Sequence, residues 1–171
     1  MNRKRNAADK REGQTREARH AGRNLHAPTG SGSASGLTQV GSYVSKYCEQ
    51  RPGIYRLIGL DEANKPAVLN RLLGQDHTGT LYIGCEGKNF AIRSRLTKLV
   101  RSCGDPKSYR YNKEHEAGYR LRSHPILSQR FPESMLAITW CHTNECKVAE
   151  DRLLDAYFNW FGDLPPLNWR K

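Results

Sequence analysis

The stretch Gly53-Ile54-Tyr55-Arg56-Leu57-Ile58-Gly59-Leu60 is the best starting point for the fold of this chain. From Ile54 to Leu60 it is rich in residues that favour strands, and Pro52-Gly53 bounds it with turn formers, so we predict a β-strand. A second strand is predicted over Thr80-Leu81-Tyr82-Ile83-Gly84-Cys85. Each predicted strand carries a tyrosine.

The segment between these strands has the spacing of a helix. In residues 61–74, Pro66 suits a first helical position and Gly74 suits a C-terminal stop. An apolar stripe lies between them, formed by Val68, Leu69, Leu72 and Leu73. We predict a helix over residues 61–74 and a loop over 75–79, so the two strands should not be joined by a tight hairpin.

The rest of the chain follows the same kind of patterning. Upstream, Val40, Tyr43, Val44 and Tyr47 recur at helical spacing. Downstream we predict helices over 90–102, 114–122 and 147–161, a loop reaching residue 112, a third strand over 135–141 and a rigid end at Leu164-Pro165-Pro166-Leu167-Asn168. On the last helix, the predicted packed side comprises Ala149, Leu153, Ala156, Tyr157 and Trp160.

Composition and charge limit the classes of function. The chain has 171 residues and 37% apolar content, which suits one domain, predicted at 37–171. Residues 1–36 hold eight basic and three acidic residues and end in a Gly/Ser-rich run, so we predict a disordered basic tail and linker. This tail would either contact DNA backbone or act only as a solubilising extension.

The net charge of +11, from 28 basic and 17 acidic residues, favours a nucleic-acid partner without choosing between an enzyme and a binder. No run approaches the roughly 20 apolar residues of a membrane helix, so we expect a cytoplasmic protein with no membrane contact.

The five cysteines are odd in number and form no CxxC pair, which favours free thiols in a reducing compartment. A zinc site at Cys141 and Cys146 is a weaker alternative.

Several polar residues could carry phosphodiester hydrolysis, which needs a base, a nucleophilic water and positive charge for the phosphoryl oxygens. Glu150 borders the apolar side of the last helix and could hold a divalent metal, or be an ordinary surface glutamate near a helix start. Tyr55 and Tyr82 could take part in proton transfer, or simply pack their rings.

Basic and amide side chains complete the candidates. Arg93 and Arg95 lie on the helix after the second strand, where either could reach a phosphate or remain on a solvated edge. His115 stands among charged residues and is predicted to be exposed in a loop or at a helix start, with a pKa range that permits proton transfer. Asn168 would most simply be a turn residue.

The order of these residues resembles that of the GIY-YIG nuclease superfamily over residues 53–168. Gly53-Ile54-Tyr55 and Tyr82-Ile83-Gly84 resemble its two signature strings, and an arginine, a histidine, a glutamate and an asparagine follow in order. The resemblance implies an α+β fold with a small three-stranded antiparallel sheet flanked by helices. It also implies hydrolysis of DNA phosphodiester bonds with one Mg²⁺ or Mn²⁺ ion.

By this resemblance each residue has a role. Glu150 would hold the metal, Tyr55 would be the general base and Tyr82 would position water or phosphate. The arginine, for which Arg95 fits the pattern better than Arg93, would stabilise the phosphoryl transition state. The remaining two are His115, which would assist proton transfer or phosphate binding, and Asn168, which would brace the site.

Two spacings depart from the family pattern: 26 residues separate Tyr55 from Tyr82, and His115 lies 20 positions beyond Arg95.

The small size of the chain favours a restriction or mobile-element nuclease that acts on double-stranded DNA, with dimerisation as a route to cutting both strands. The alternative function is a non-catalytic basic nucleic-acid-binding protein on the same scaffold.

Overall fold

The computed structural model describes residues 41, 44–87, 91–104 and 114–169. The predicted tail at 1–36, the positions of Val40 and Tyr43, and the loop from 105 to 112 lie outside these ranges. Residues 44–47 are helical, as predicted, and Val44 and Cys48 are fully buried against the domain.

The described chain has an α+β architecture built on a three-stranded antiparallel sheet. Its strands are β1 (Gly53–Gly59), β4 (Thr80–Glu86) and β5 (Leu136–His142), in the order β4-β1-β5. The three predicted strands are therefore confirmed, except that Met135 belongs to a short 3₁₀ turn, Glu133–Met135, before β5. Because β1 is central, its residues pair on both sides, and the signature tyrosine it carries lies in the middle of the sheet.

The helix predicted over 61–74 is wrong. The chain instead forms a two-stranded hairpin, β2 (Leu69–Arg71) and β3 (Gly74–Asp76). Leu72 and Leu73, which looked like part of a buried helical stripe, form its turn and are 74% and 68% exposed. Before the hairpin, Asp61 Oδ1 accepts hydrogen bonds from the amides of Ala63 and Lys65 and stabilises a turn that competes with a helix.

The predicted loop over 75–79 is also partly wrong, because Gln75 and Asp76 belong to β3. Asp76 is fully buried and fixes the following turn by accepting from the amide and hydroxyl of Thr78, each at 2.6 Å. A buried carboxylate satisfied in this way specifies local structure, although the polar sequence around it is typical of an exposed loop.

Beyond residues 44–47, the described ranges contain the helices α1 (Ile92–Cys103), α2 (Glu116–Ser123), α3 (Pro125–Arg130) and α4 (Cys146–Phe161). The helices predicted near 90–102, 114–122 and 147–161 are confirmed with shifts of at most two residues at their ends, and α3 was not predicted. On α4 the buried residues are Cys146, Leu154 and Tyr157, whereas Trp160 of the predicted packed side is 50% exposed.

Candidate active site

The two signature glycines allow close packing around the tyrosines. The β1–β4 register sets Tyr55 opposite Gly84, and a Cβ on Gly84 would lie 2.7 Å from the Tyr55 Oη and 2.6 Å from Cε1 of Tyr82. A Cβ on Gly53 would likewise collide with the carbonyl oxygen of Cys141 on β5. Each glycine is thus required by the space that a neighbouring strand or phenol occupies.

His115 is fully buried, so its predicted exposure is wrong. It is the N-cap of α2, and its Nδ1 accepts from the amide of Ala117 at 3.2 Å. The proton of the neutral imidazole therefore lies on Nε2, which is 2.7 Å from the Tyr55 Oη and donates to it. Burial, with the charges of Arg95 and Lys98, lowers the pKa of His115 to about 3, so this ring is neutral at physiological pH.

Tyr55, Tyr82 and His115 form one cluster of rings. The centroid of Tyr82 is 6.0 Å from that of Tyr55 and 5.5 Å from that of His115. Burial raises the pKa of Tyr55 well above its ordinary value, the Tyr82 phenol adds to the rise, and the Arg95 guanidinium opposes it. Burial also raises the pKa of Tyr82, with Glu150 adding to the rise and Arg95 opposing it. Arg95 is therefore the cation that bears on both phenols.

Arg95 and Arg93 have different surroundings. Arg95 extends from α1 toward the tyrosines, and its Nε lies 4.0 Å from a carboxylate oxygen of Glu86 on β4. Arg93 turns to the other side of α1, where its Nε donates to the backbone carbonyl of Cys48. Of the two candidates, only Arg95 lines the cleft described below.

Glu150 extends from the first half of α4 with a side chain only 13% exposed. Its Oε2 accepts from Lys147 Nζ at 2.8 Å and from the Cys85 thiol at 3.2 Å. Burial, followed by the hydrogen bond to Glu150, raises the pKa of Cys85, which keeps this thiol protonated and able to donate. The Oε1 atom accepts no hydrogen bond from any residue that the structure describes.

Asn168 is more than a turn residue. Its Oδ1 accepts from the amide of Ile83 at 2.9 Å, and its Nδ2 donates to the carbonyl of the same residue at 2.8 Å. The amide of Leu167 donates to the carbonyl of Leu81 at 2.9 Å. The C-terminal segment is therefore held against β4 beside the second signature string, as bracing of the site would require.

These residues converge on one open cleft of about 290 Å³. Tyr82, Arg95, Glu150 and Asn168 line the cleft directly. Tyr55, which is 2% exposed, and His115 lie behind Tyr82. All six predicted site residues thus belong to a single cluster, although they come from two strands, two helices, a helix cap and the C-terminal segment.

The donors present fit a hard divalent ion that is held mainly by water and substrate. No group of three histidine, cysteine or acidic residues that could hold a metal occurs within the described ranges. A single carboxylate is nevertheless enough for Mg²⁺, which keeps several water ligands and is commonly bound through one or two carboxylates plus substrate phosphate. Glu150, with Oε1 uncommitted among the described residues, is the one predicted ligand in the cleft.

Two residues that line the cleft, Lys147 and Trp169, and one that contacts Glu150, Cys85, were not among the predicted site residues. Lys147 bonds Glu150 Oε2 and also lies 2.9 Å from Asp151 Oδ1, an i,i+3 and i,i+4 arrangement that helical spacing could have indicated. Cys85 is only partly buried, and its thiol donates to Glu150 Oε2. Trp169 lines the cleft immediately after Asn168, a position that no sequence pattern singled out.

Comparison with protein-family models, with curated proteins and with solved structures finds no match. The cysteines Cys48, Cys85, Cys103, Cys141 and Cys146 are all free thiols. Among the described helices, none combines the length and the apolar character that crossing a membrane demands.

Proposed function

We propose that this protein is a divalent-metal-dependent endonuclease of the GIY-YIG type that hydrolyses DNA phosphodiester bonds. The observation that carries the proposal is the convergence of Tyr82, Arg95, Glu150 and Asn168 on one cleft, with the Tyr55–His115 pair behind them. The resemblance selects six residues that are far apart in the sequence. If the two tripeptides were present by chance, the other selected residues would not be expected to lie close to them in the folded protein.

In this proposal the side chains of the chain divide the work. Arg95 presents its donor fork to the phosphoryl group and offsets the charge that develops there. Glu150 would hold Mg²⁺ or Mn²⁺, which supplies Lewis-acid stabilisation of the phosphoryl oxygens and a more acidic water. Asn168 keeps the C-terminal segment on β4, so the wall of the cleft stays in place while substrate binds.

Tyr55 is the proposed general base, with Tyr82 positioning the nucleophilic water or the phosphate. His115 supports this assignment because its Nε2–H already donates to the Tyr55 Oη and would continue to donate to a phenolate. Burial opposes ionisation of Tyr55, and Arg95 favours it. Tyr82 is the competing base, since its ring is the one that lines the cleft.

The first test is cleavage of supercoiled plasmid with Mg²⁺ and its dependence on Glu150. Glu150→Gln should reduce nicking at least about a hundredfold, as expected for loss of a group that organises transition-state charge. Glu145→Gln, an exposed glutamate at the N-cap of the same helix, is the matched control and should retain activity. Cleavage that persists in Glu150→Gln with chelator present would reject the mechanism.

A second test separates the two phenols. Tyr55→Phe and Tyr82→Phe remove one hydroxyl each and keep the ring, so the packing of the cluster remains. Under the proposal, Tyr55→Phe lowers single-turnover cleavage by about 10²- to 10⁴-fold, the usual contribution of general acid–base catalysis, and Tyr82→Phe lowers it less. The reverse order would assign the base to Tyr82.

The second candidate function is non-catalytic binding of nucleic acid, which the contacts of Glu150 favour. Lys147 already neutralises Glu150 in the protein, so the cleft could serve as a cationic phosphate-binding site without any metal. This alternative predicts salt-dependent DNA binding that Mg²⁺ weakens only as a competing counterion, with no nicking at any metal concentration. Metal-dependent nicking by the wild-type protein excludes it.

A homodimer that cuts both strands remains part of the first proposal. It would be measured as linear product whose rate of formation depends on the square of the protein concentration.

A further inference from the structure

Trp169 is an aromatic side chain at the rim of the cleft that the proposed chemistry does not use. Its side chain is 69% exposed although it lines the same cleft as Glu150 and Arg95. Exposed tryptophans that adjoin a polar cleft are unusual on soluble proteins and are frequent in binding sites, where the ring supplies contact area at little cost in conformational entropy.

The ring of Trp169 is held in place by a cation. The guanidinium carbon of Arg120 lies 4.3 Å from the ring centroid, the distance of a cation–π contact. Arg120 is itself fixed by Glu116 Oε1, at 2.9 and 3.1 Å, and by the carbonyl of Leu167 at 3.3 Å. An aromatic plane backed by an anchored arginine is ordered before any ligand arrives, which lowers the entropic cost of stacking another ring on it.

The charges and size of the cleft indicate the ligand. The cleft of about 290 Å³ is just below the roughly 300–1,000 Å³ of ligand pockets, and its lining is mixed in charge: Glu116 and Glu150 are acidic, and Arg95 and Lys147 are the cations that can meet a phosphate. A space of that size admits about one nucleotide. An aromatic ring beside cations that contact the phosphate backbone is a common means of binding single-stranded nucleic acid, because every base offers a π face.

We propose that Trp169 stacks on an unpaired nucleobase next to the scissile phosphate, so that the substrate is DNA with an unstacked nucleotide at the cleavage position, as in a bulge or a flap. In a fully paired duplex both faces of each base are covered by neighbouring bases, so an intact duplex offers Trp169 no partner. This inference rests on the proposed nuclease function and assigns its substrate class.

The test measures binding without turnover in a Glu150→Gln background, by fluorescence anisotropy of labelled DNA. Two duplexes of equal length are compared, one fully paired and one with a single bulged nucleotide. Trp169→Ala should weaken binding of the bulged duplex by about 5- to 150-fold, the effect of losing one base–aromatic stack, and leave the paired duplex unchanged. Trp169→Phe should retain most of the preference.

Trp160 provides the matched control. It is 50% exposed on α4 and does not line the cleft, so Trp160→Ala should leave both affinities unchanged. Replacing the bulged nucleotide by an abasic residue should weaken DNA binding by the protein that has Trp169. It should not weaken binding by the Trp169→Ala protein any further, since both changes remove the same stack. A purely structural role of Trp169 would instead lower both affinities and leave the abasic effect intact, which would overturn the inference.

Intrinsic fluorescence gives a direct second readout. A Trp160→Phe protein retains only Trp169 and Trp140, and Trp140 is buried. Bulged DNA should quench its emission, and Trp160→Phe/Trp169→Phe should show no quenching. The two proposals fail separately: a protein that cleaves DNA with no role for Trp169 loses this inference alone, whereas Trp169-dependent binding of the bulged duplex without its cleavage by the protein that retains Glu150, in the presence of Mg²⁺, rejects the nuclease function.

Discussion

Asp76 and Glu150 are two carboxylates that act on the same helix, α4, and their surroundings are opposite. Asp76 is fully buried and accepts four hydrogen bonds, two from Thr78, one from the amide of Thr80 at 3.2 Å and one from Tyr157 Oη at 2.9 Å. Glu150 borders the open cleft, and its described contacts fall on a single oxygen.

The difference separates a carboxylate that holds the fold from one that is available for chemistry. Asp76 has its lone pairs committed to donors that do not move, so it has little capacity for an ion. The hydrogen bond that Asp76 accepts from Tyr157 fixes α4 relative to the hairpin. Tyr157 lies seven residues, about two helical turns, beyond Glu150. The satisfied carboxylate therefore sets the position of the less satisfied one.

The largest expected effect is on stability, when Asp76 is replaced by asparagine. The amide cannot accept as the carboxylate does from both Thr80 and Tyr157, so buried donors lose their partners and the free energy of unfolding should fall by about 3 kcal/mol. Glu150→Gln keeps an acceptor oxygen and loses an ion pair whose cation, Lys147, is exposed, so it should lower the free energy of unfolding by at most about 1 kcal/mol. Urea denaturation measures both. Equal losses would erase the distinction between the two carboxylates.

The next largest effect on stability is expected for Gly84→Ala. The control is Gly74→Ala, in the hairpin. The new methyl at Gly84 would meet the Tyr55 and Tyr82 phenols at 2.6 to 2.7 Å, whereas a Cβ at Gly74 has no neighbour within 4 Å. Overpacking of this kind should cost about 2 to 3 kcal/mol at Gly84 and almost nothing at Gly74, as judged from urea midpoints. Nicking should fall only in Gly84→Ala, because the phenols must shift. A tolerated Gly84→Ala would contradict the packing argument.

The pH dependence of stability should report His115. Its pKa is lowered from 6.5 to about 3 by burial and the charges of Arg95 and Lys98, so between these pH values the unfolded chain binds a proton that the folded protein does not. Stability from this group is full above pH 6.5 and is lost as the pH falls, by about 2 kcal/mol between pH 7 and pH 5. His115→Asn can keep the N-cap and should remove that slope. Parallel slopes for both proteins would refute the assignment.

The smallest effect concerns Lys147, which competes with a metal for Glu150. This exposed ion pair contributes at most about 1 kcal/mol, so Lys147→Met should lower the half-saturating Mg²⁺ concentration for nicking by no more than about fivefold. Arg152→Met removes the same charge from an exposed neighbouring position and should have no such effect. A higher Mg²⁺ requirement in Lys147→Met would mean that the ammonium contacts the phosphate instead of opposing the ion.

The sequence predicted the sheet because strand patterns are local, and the order of its motifs selected four of the residues that line the cleft: Tyr82, Arg95, Glu150 and Asn168. Strand residues and signature strings are read from neighbours in the chain, and β1, β4 and β5 appear where those patterns occur. The hairpin was missed because Val68, Leu69, Leu72 and Leu73 match a helical period, while a contact distant in sequence overrides it: the amide of Leu73 donates to the carbonyl of Phe161 at 3.0 Å.

The burial of His115 and Asp76 could not be predicted for a related reason. His115 has charged neighbours in sequence, yet its partner Tyr55 lies 60 positions away. Asp76 is followed by His77 and Thr78, which suggests a loop, yet its partner Tyr157 lies 81 positions away. A polar residue that is buried and satisfied by a distant partner has the same local sequence as an exposed one.

The hydrogen bonds from Asn168 and Leu167 to β4 have a consequence for association between molecules. β4 is an outer strand of the sheet, and an unpaired outer strand is a template for pairing with another chain. The Asn168 amide occupies both backbone groups of Ile83, and Leu167 occupies the carbonyl of Leu81. Leu167 and Asn168 thus cover this edge of the sheet against pairing with another chain, at the same place where they complete the wall of the cleft.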